Sequence, residues 1–333
     1  MYKISSFFSG AGGLDLGFQQ SGFSIVYANE YDKDIWETYE KNHLSTPLDR
    51  RSITEVESSE VPDCDGIIGG PPCQSWSEAG AQRGIKDHRG QLFYDFIRIL
   101  KDKQPKFFLA ENVSGMLHPK HSDALENIKN TFSDAGYDLF FKLLNAADYG
   151  VGQDRKRVIF IGFRKDLNIK FTFPEPLTEK VYLKDIIKDL DGKETPAQEK
   201  QKPNLNLSIP NHEYMIGGFS TMYMSRNRVR TWEQPSFTIQ AGGRHAPIHP
   251  GVPVMKKAEK DKFLFAEGYD YRRLSVRECA RIQGFPDDFT FYYKNVANGY
   301  KMIGNAVAVG FAKEIAKSIL EHLDMKISYK TAV

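Results

Sequence analysis

The chain of 333 residues, 41% hydrophobic and 13% aromatic, is long enough to bury a substantial core and predicts one large domain with a smaller second unit. Its 45 basic and 43 acidic residues leave a net charge of +2, so affinity for a polyanion has to come from local clustering. Cys64, Cys73 and Cys279 are widely spaced with no C-x-x-C pair, against a disulfide framework and a zinc site, and the lack of a long apolar run predicts a cytoplasmic protein without a membrane partner.

The first half alternates short apolar runs with amphipathic stretches, as parallel strands joined by crossover helices do. "YKISSFF", "FSIVYAN", "DGIIGG" and "KFFLAEN" read as strands. "LDLGFQQSG", "YDKDIWETYEKNH" and "GQLFYDFIRILKDK" read as helices, the last with Leu92, Phe93, Phe96 and Ile99 at helical spacing. "PKHSDALENIKNTFSDAGYD" predicts a further helix. "LFFKLLNA" and "RVIFIGF" then stand too close for a crossover helix, which predicts an antiparallel pair and a sheet mixed at one edge.

From about Asn168 prolines become frequent, followed by the charged "DLDGKETPAQEKQK" and by arginine- and glycine-rich segments. A domain boundary or long insertion is expected there. Helical patterning returns at "SVRECARIQGF" and at "IGNAVAVGFAKEIAKSILEHL", where Ile303, Val307, Phe311, Ile315 and Ile319 form an apolar stripe.

Four places carry chemistry. In "FFSGAGGLDLGF", Gly10, Gly12 and Gly13 follow a strand and open a helix, so the loop is either a plain turn or a place where backbone approaches a ligand. Asp15 is a poor neighbour for a pyrophosphate, whereas Glu30, ending the next strand, is placed to accept ribose hydroxyls, and Tyr31 to cover an adenine; this favours S-adenosylmethionine over a dinucleotide. In "GGPPCQSWS" two prolines hold Cys73 at the carboxyl edge of the sheet, a position for a nucleophile, while Cys64 and Cys279 read as small core residues. Glu111 of "AENV" stands at the same edge, as a functional acid or as half of an ordinary ion pair. Arg155 and Arg157 are expected on one face of the following strand, as functional groups or as cations guarding a solvated edge.

Together "FSGAGG", "GGPPCQSWS", "AENV", "QDRKRV", "RRLSVRECARIQGFPDDF" and "YKMIGNAV", in this order, resemble the DNA cytosine-5 methyltransferases of bacterial type II restriction-modification systems over residues 3 to 322. Within that family "PNHEY", "MSRNRVR" and "GFPDDF" are most similar to the HaeIII methyltransferase, which reads GGCC.

The resemblance implies a Rossmann-like α/β fold with a mixed sheet and S-adenosylmethionine as cofactor. It implies a catalytic and cofactor-binding domain over 1–170, a smaller, irregular target-recognition domain over 171–272, and a return segment over 273–333 whose last helix packs on the catalytic domain. Cys73 matches the thiolate that adds to carbon 6 of cytosine, Glu111 the residue that supports N3, and Arg157 the one that holds O2, with Arg155 beside it. The target base is flipped out, Ser75 contacts the DNA backbone, and the segment after Cys73 closes over the base. Phe8, Gly10, Gly12, Gly13, Glu30, Tyr31, Ile53, Leu92 and Asn305 match cofactor-binding positions.

Two departures stand out: Ser52 replaces the family's aspartate before Ile53, a role Asp49 could take by a small shift, and Ala308 replaces a proline. Arg226, Arg228 and Arg244 are expected to read guanine edges, or else to hold phosphates, with Arg230 among the DNA contacts. A monomer is expected, paired in function with a restriction endonuclease that it need not touch. An RNA cytosine-5 methyltransferase, a noncatalytic DNA-binding relative and a dinucleotide-dependent oxidoreductase are the alternatives.

Overall fold

A computed structural model describes residues 1–72 and 88–331 of the chain. The chain divides into two compact units, the first formed by Met1–Asn145, Lys156–Glu175 and Phe311–Val333, the second by Ala146–Arg155 and Pro176–Gly310. Compactness thus cuts the chain differently from composition. Residues 273–310 cluster with the second unit rather than forming a separate return segment, while the chain from Phe311 onward clusters with the first.

In the first unit the alternation is that of a doubly wound sheet: β1 (Lys3–Phe7), α1 (Gly13–Gln20), β2 (Ser24–Asn29), α2 (Trp36–Asn42), β3 (Leu48–Asp49), β4 (Gly66–Gly69), α3 (His88–Lys103), β5 (Phe107–Val113), α4 (Ser122–Asp134), β6 (Tyr137–Asn145) and β7 (Lys156–Arg164). The strands lie in the order β3-β2-β1-β4-β5-β7-β6. β1 to β5 pair in parallel, while β7 runs antiparallel to both β5 and β6, giving the expected antiparallel pair and mixed edge. The central strands are buried because both faces are covered, Ser5 and Ser6 of β1 included. Phe93 and Phe96 of α3 and Phe132 of α4 pack with Phe7, Phe108 and Phe160. On the other face Phe18 of α1 stacks on Phe107, and the hydroxyl of Ser21 reaches Lys313 O in the C-terminal helix.

The second unit has little regular structure. Its helices are α5 (Leu183–Ile187), α6 (Val276–Ile282) and α7 (Val296–Asn305), and its strands form two short pairs, β8–β9 and β10–β11 (Thr195–Pro196 with Glu213–Tyr214, Lys256–Glu259 with Lys262–Leu264). α6 starts on a capping box: the Ser275 hydroxyl accepts from Glu278 N and the Glu278 carboxylate from Ser275 N.

The apolar stripe from Ile303 to Ile319 is buried as expected, but it does not lie on one helix. α7 ends at Asn305, and α8 (Val309–Thr331) begins four residues later. The carbonyls at the break are met by side chains: Gln283 Nε2 donates to Ile303 O and Ala306 O, and Arg155 Nη2 to Gly304 O and Ala306 O. Among the described residues no helix is long and apolar enough to cross a membrane.

Candidate active site

The carboxyl ends of β1, β2, β4 and β5 lie along one edge of the sheet, where the glycine loop, Glu30 and Glu111 are found. Leaving β1, Phe8 adopts φ +53°, a left-handed conformation costly for a bulky residue and characteristic of strained functional loops. Gly10 and Gly12 follow at φ +56° and +81°, Gly12 as the N-cap of α1. A side chain at Gly10 would meet nothing within 4 Å, so the loop is open on that side.

Glu30, immediately after β2, closes the loop from above. Its Oε2 accepts from Gly10 N at 2.9 Å and its Oε1 from Asp32 N at 2.8 Å. A carboxylate at this strand end is an acceptor-only group, the chemistry that a ribose diol requires. Tyr31 beside it is 71% exposed, a ring free to lie against a planar base. Leu92 is half-buried on α3 against the core. A glycine loop, an acid at the second strand end and an exposed aromatic ring fit the chemistry of S-adenosylmethionine.

Ile53 is buried in the core and so contributes packing beneath this edge. Ser52 caps a short turn, its hydroxyl accepting from Thr54 N. Asp49 is committed elsewhere: Arg51 meets it at 2.7 Å, Tyr27 donates to it at 3.0 Å, and the bonds from Arg51 hold its carboxyl below the usual range. Asn305 is exposed at the end of α7 in the second unit.

At the end of β4, Gly69, Gly70, Pro71 and Pro72 lead toward Cys73. Cys73 and Ser75 themselves lie outside the described residues, as does most of the segment expected to close over a base. Glu111, near the end of β5, meets Arg157 of the adjacent β7, Nε to Oε1 at 2.6 Å, and both side chains are almost buried. The contact is an ion pair without hydrogen-bond alignment. A Cβ on Gly70 would stand 3.7 Å from Glu111 Oε2, so the acid lies directly against the glycine-proline turn.

Arg155 behaves differently from Arg157. β7 starts at Lys156, so the two arginines do not share a strand face as expected; Arg155 belongs to the second unit, buried, donating to Ile239 O, Gly304 O and Ala306 O. The other arginines also divide. Arg228 is buried, bonded to Tyr223 O and laid over the Tyr223 ring, and Arg230 is paired with Asp154 at 2.8 Å. Arg226 and Arg244 are exposed.

The model of the C-5 cytosine-specific DNA methylase family matches residues 2–321. The chain belongs to this family. It is 58% identical to the type II methyltransferase M.FnuDI of Fusobacterium nucleatum, over 99% of this chain and 98% of the relative. It is 57% identical to M.MthTI of Methanothermobacter thermautotrophicus, over 96% and 98%. Among solved structures, a prophage-encoded E. coli protein superposes with a TM-score of 0.76 at 26% identity, covering 97% of this chain and all of that one. The enzyme is therefore a DNA (cytosine-5)-methyltransferase with a Rossmann-like α/β catalytic unit.

Two features of the methyltransferase's site were not singled out from sequence. Asn112 stands beside Glu111 in "AENV" and donates to Pro71 O at 3.2 Å. Asp15, Tyr39 and His43 form a buried group behind the glycine loop, signalled only by an acid placed where a phosphate site would not have one.

Proposed function

We propose that the methyltransferase moves a methyl group from S-adenosylmethionine to carbon 5 of a cytosine flipped out of duplex DNA at GGCC, protecting that DNA from a partner restriction endonuclease it need not touch. The cofactor supplies an electrophilic methyl on a sulfonium. Carbon 5 of cytosine is too poor a nucleophile to take it unaided, so the Cys73 thiolate adds at carbon 6 and the ring becomes an enamine. Glu111 supports N3, carrying or sharing a proton with it as charge develops. Its close partner Arg157 must then turn toward the base O2 when the base arrives. Once carbon 5 carries the methyl group, its proton passes to a base or water, and the electron pair left behind re-forms the C5–C6 double bond as the C6–S bond breaks and Cys73 departs as thiolate.

The observation that carries this reading is the nearly buried Glu111–Arg157 pair lying against the turn that leads to Cys73. Glu30 and the Phe8–Gly13 loop serve the cofactor, with Tyr31 and Leu92 contributing and Ile53 packing beneath. The second unit reads the target through Arg226 and Arg244, whose exposed guanidinium groups suit guanine O6 and N7. Arg228, Arg230 and Arg155 hold the frame that presents them, and Ser75 contacts the DNA backbone. We take the enzyme to act in the cytoplasm as a monomer.

Incubation with labelled S-adenosylmethionine and a library of short duplexes, followed by mapping of the modified cytosines, is the test. Methylation confined to GGCC is expected; methylation spread over unrelated sites overturns the site assignment, and transfer to tRNA alone overturns the substrate. Cys73→Ser is expected to abolish turnover with DNA binding retained, because a hydroxyl is scarcely ionised near neutral pH.

A further inference from the structure

Behind the glycine loop lies a group of buried polar side chains. Asp15, in the first turn of α1, is fully buried. Its Oδ1 accepts from the Ser6 hydroxyl of β1 and its Oδ2 from the Tyr39 hydroxyl of α2, each at 2.6 Å. One carboxylate thus ties β1, α1 and α2 together directly beneath the loop that joins the first two.

Tyr39 carries the tie further. The His43 imidazole stacks on its ring, centroids 4.3 Å apart and planes 20° from parallel. His43 Nε2 lies 3.3 Å from Ala11 O, in the middle of the loop. A carbonyl can only accept, so Nε2 bears the hydrogen. Burial pushes the His43 pKa down, consistent with a neutral ring donating to backbone rather than acting as a charge. Gly12 completes the fit: a Cβ there would stand 2.1 Å from His43 Nε2, so the residue must lack a side chain to admit the ring as well as to reach φ +81°.

We propose that His43 is a positioning residue for cofactor binding: through its bond to Ala11 O, braced by Tyr39 and Asp15, it holds the glycine loop in the conformation that receives S-adenosylmethionine. The inference rests on the reading of that loop as the cofactor site. It assigns the group a purpose beyond stability, because Ala11 and Gly12 lie between Gly10, which Glu30 grips, and the start of α1. A loop pinned from both sides loses little freedom when the cofactor arrives, which strengthens binding without a new contact.

Calorimetric titration of S-adenosylmethionine into wild type, His43→Ala, His43→Gln and Tyr39→Phe, without DNA, is the test. His43→Ala is expected to bind about tenfold more weakly, the effect of one lost hydrogen bond with some loosening of the loop. His43→Gln should recover part of the loss, because its amide can donate to Ala11 O. Tyr39→Phe keeps the stacking and should weaken binding about threefold. In turnover the KM for cofactor should rise more than kcat falls, with DNA affinity unmoved. Absence of binding by the wild type would sink the cofactor reading itself. Wild-type binding matched by His43→Ala overturns the positioning role; should that variant not fold, wild-type affinity in Tyr39→Phe, which unties the brace to Asp15, overturns it equally.

Discussion

Asn112, one residue beyond Glu111 on β5, donates its side-chain amide to the carbonyl of Pro71 at 3.2 Å, while its own Oδ1 accepts from Val113 N at 2.8 Å. The strand that carries the acid therefore also holds the turn that leads to the cysteine. A single side chain thus ties the Pro71 turn to the strand that carries Glu111. Asn112→Ala is expected to slow single-turnover methyl transfer about tenfold, since a buried carbonyl loses its donor and the turn its register. DNA affinity should be unchanged. A rate within about twofold of wild type would show that Pro71 and Pro72 hold the turn unaided.

Glu111 and Arg157 should fail in different ways. Glu111→Gln keeps the shape but cannot supply a proton, so kcat should fall by about 10² to 10⁴ with DNA binding retained. Arg157→Ala leaves Glu111 nearly buried without its cation, which adds a loss of stability to the loss of rate. Rapid-quench rates beside thermal melting separate the two, and equal losses of rate and DNA binding in Glu111→Gln would indicate a structural carboxylate.

Much of the first unit was legible because its strands are buried on both faces and announce themselves as apolar runs closed by glycine or an acid. The edge residues Glu30 and Glu111 were legible for the same reason: a charge at the end of an apolar strand has little packing use. The break between α7 and α8 was not. The apolar stripe continues through it, and the groups that meet the carbonyls there, Arg155 and Gln283, come from distant parts of the chain. The role of His43 was equally hidden, since a histidine closing a helix gives no sign that its ring turns back to a loop more than thirty residues earlier.

The arginines of the second unit show the limit of reading charge from composition. With few strands and helices, this unit has many backbone carbonyls without ladder partners, and arginine side chains supply the missing donors. Arg273 donates to Gly217 O and Gly218 O, and Arg277 to Pro210 O, Pro286 O and Phe289 O. Arg226→Ala is therefore expected to relax discrimination at one guanine by about 1–3 kcal/mol without altering the melting temperature. Arg228→Ala should lower melting temperature first, because it removes a donor from Tyr223 O and a cation from the Tyr223 ring. Methylation of single-base variants of the target, measured beside thermal melting, distinguishes them. An Arg226→Ala enzyme with unaltered discrimination would leave that guanidinium as a phosphate contact only.

The stability of the second unit should depend on Glu278. Its side chain is wholly buried, bonded through both oxygens to Arg272, which also meets Glu194 at 2.9 Å. Burial opposes the charge on Glu278, but the bonds from Arg272 outweigh it and hold the carboxyl below its ordinary range. A carboxyl with a depressed pKa in the folded state contributes stability that is fully present above the unfolded value of about 4.3 and is lost as pH falls through the folded value. Glu278→Gln keeps the shape, strips Arg272 of its main counter-charge and weakens the capping box at Ser275. The expected cost is about 3–5 kcal/mol at neutral pH, with a shallower loss of melting temperature on acidification than in wild type. Melting curves from neutral pH into the acid range read both effects. If the variant melts with wild type at neutral pH, the desolvation of the pair cancels its attraction, and the fold of this unit rests on its arginine–carbonyl bonds and its small aromatic core.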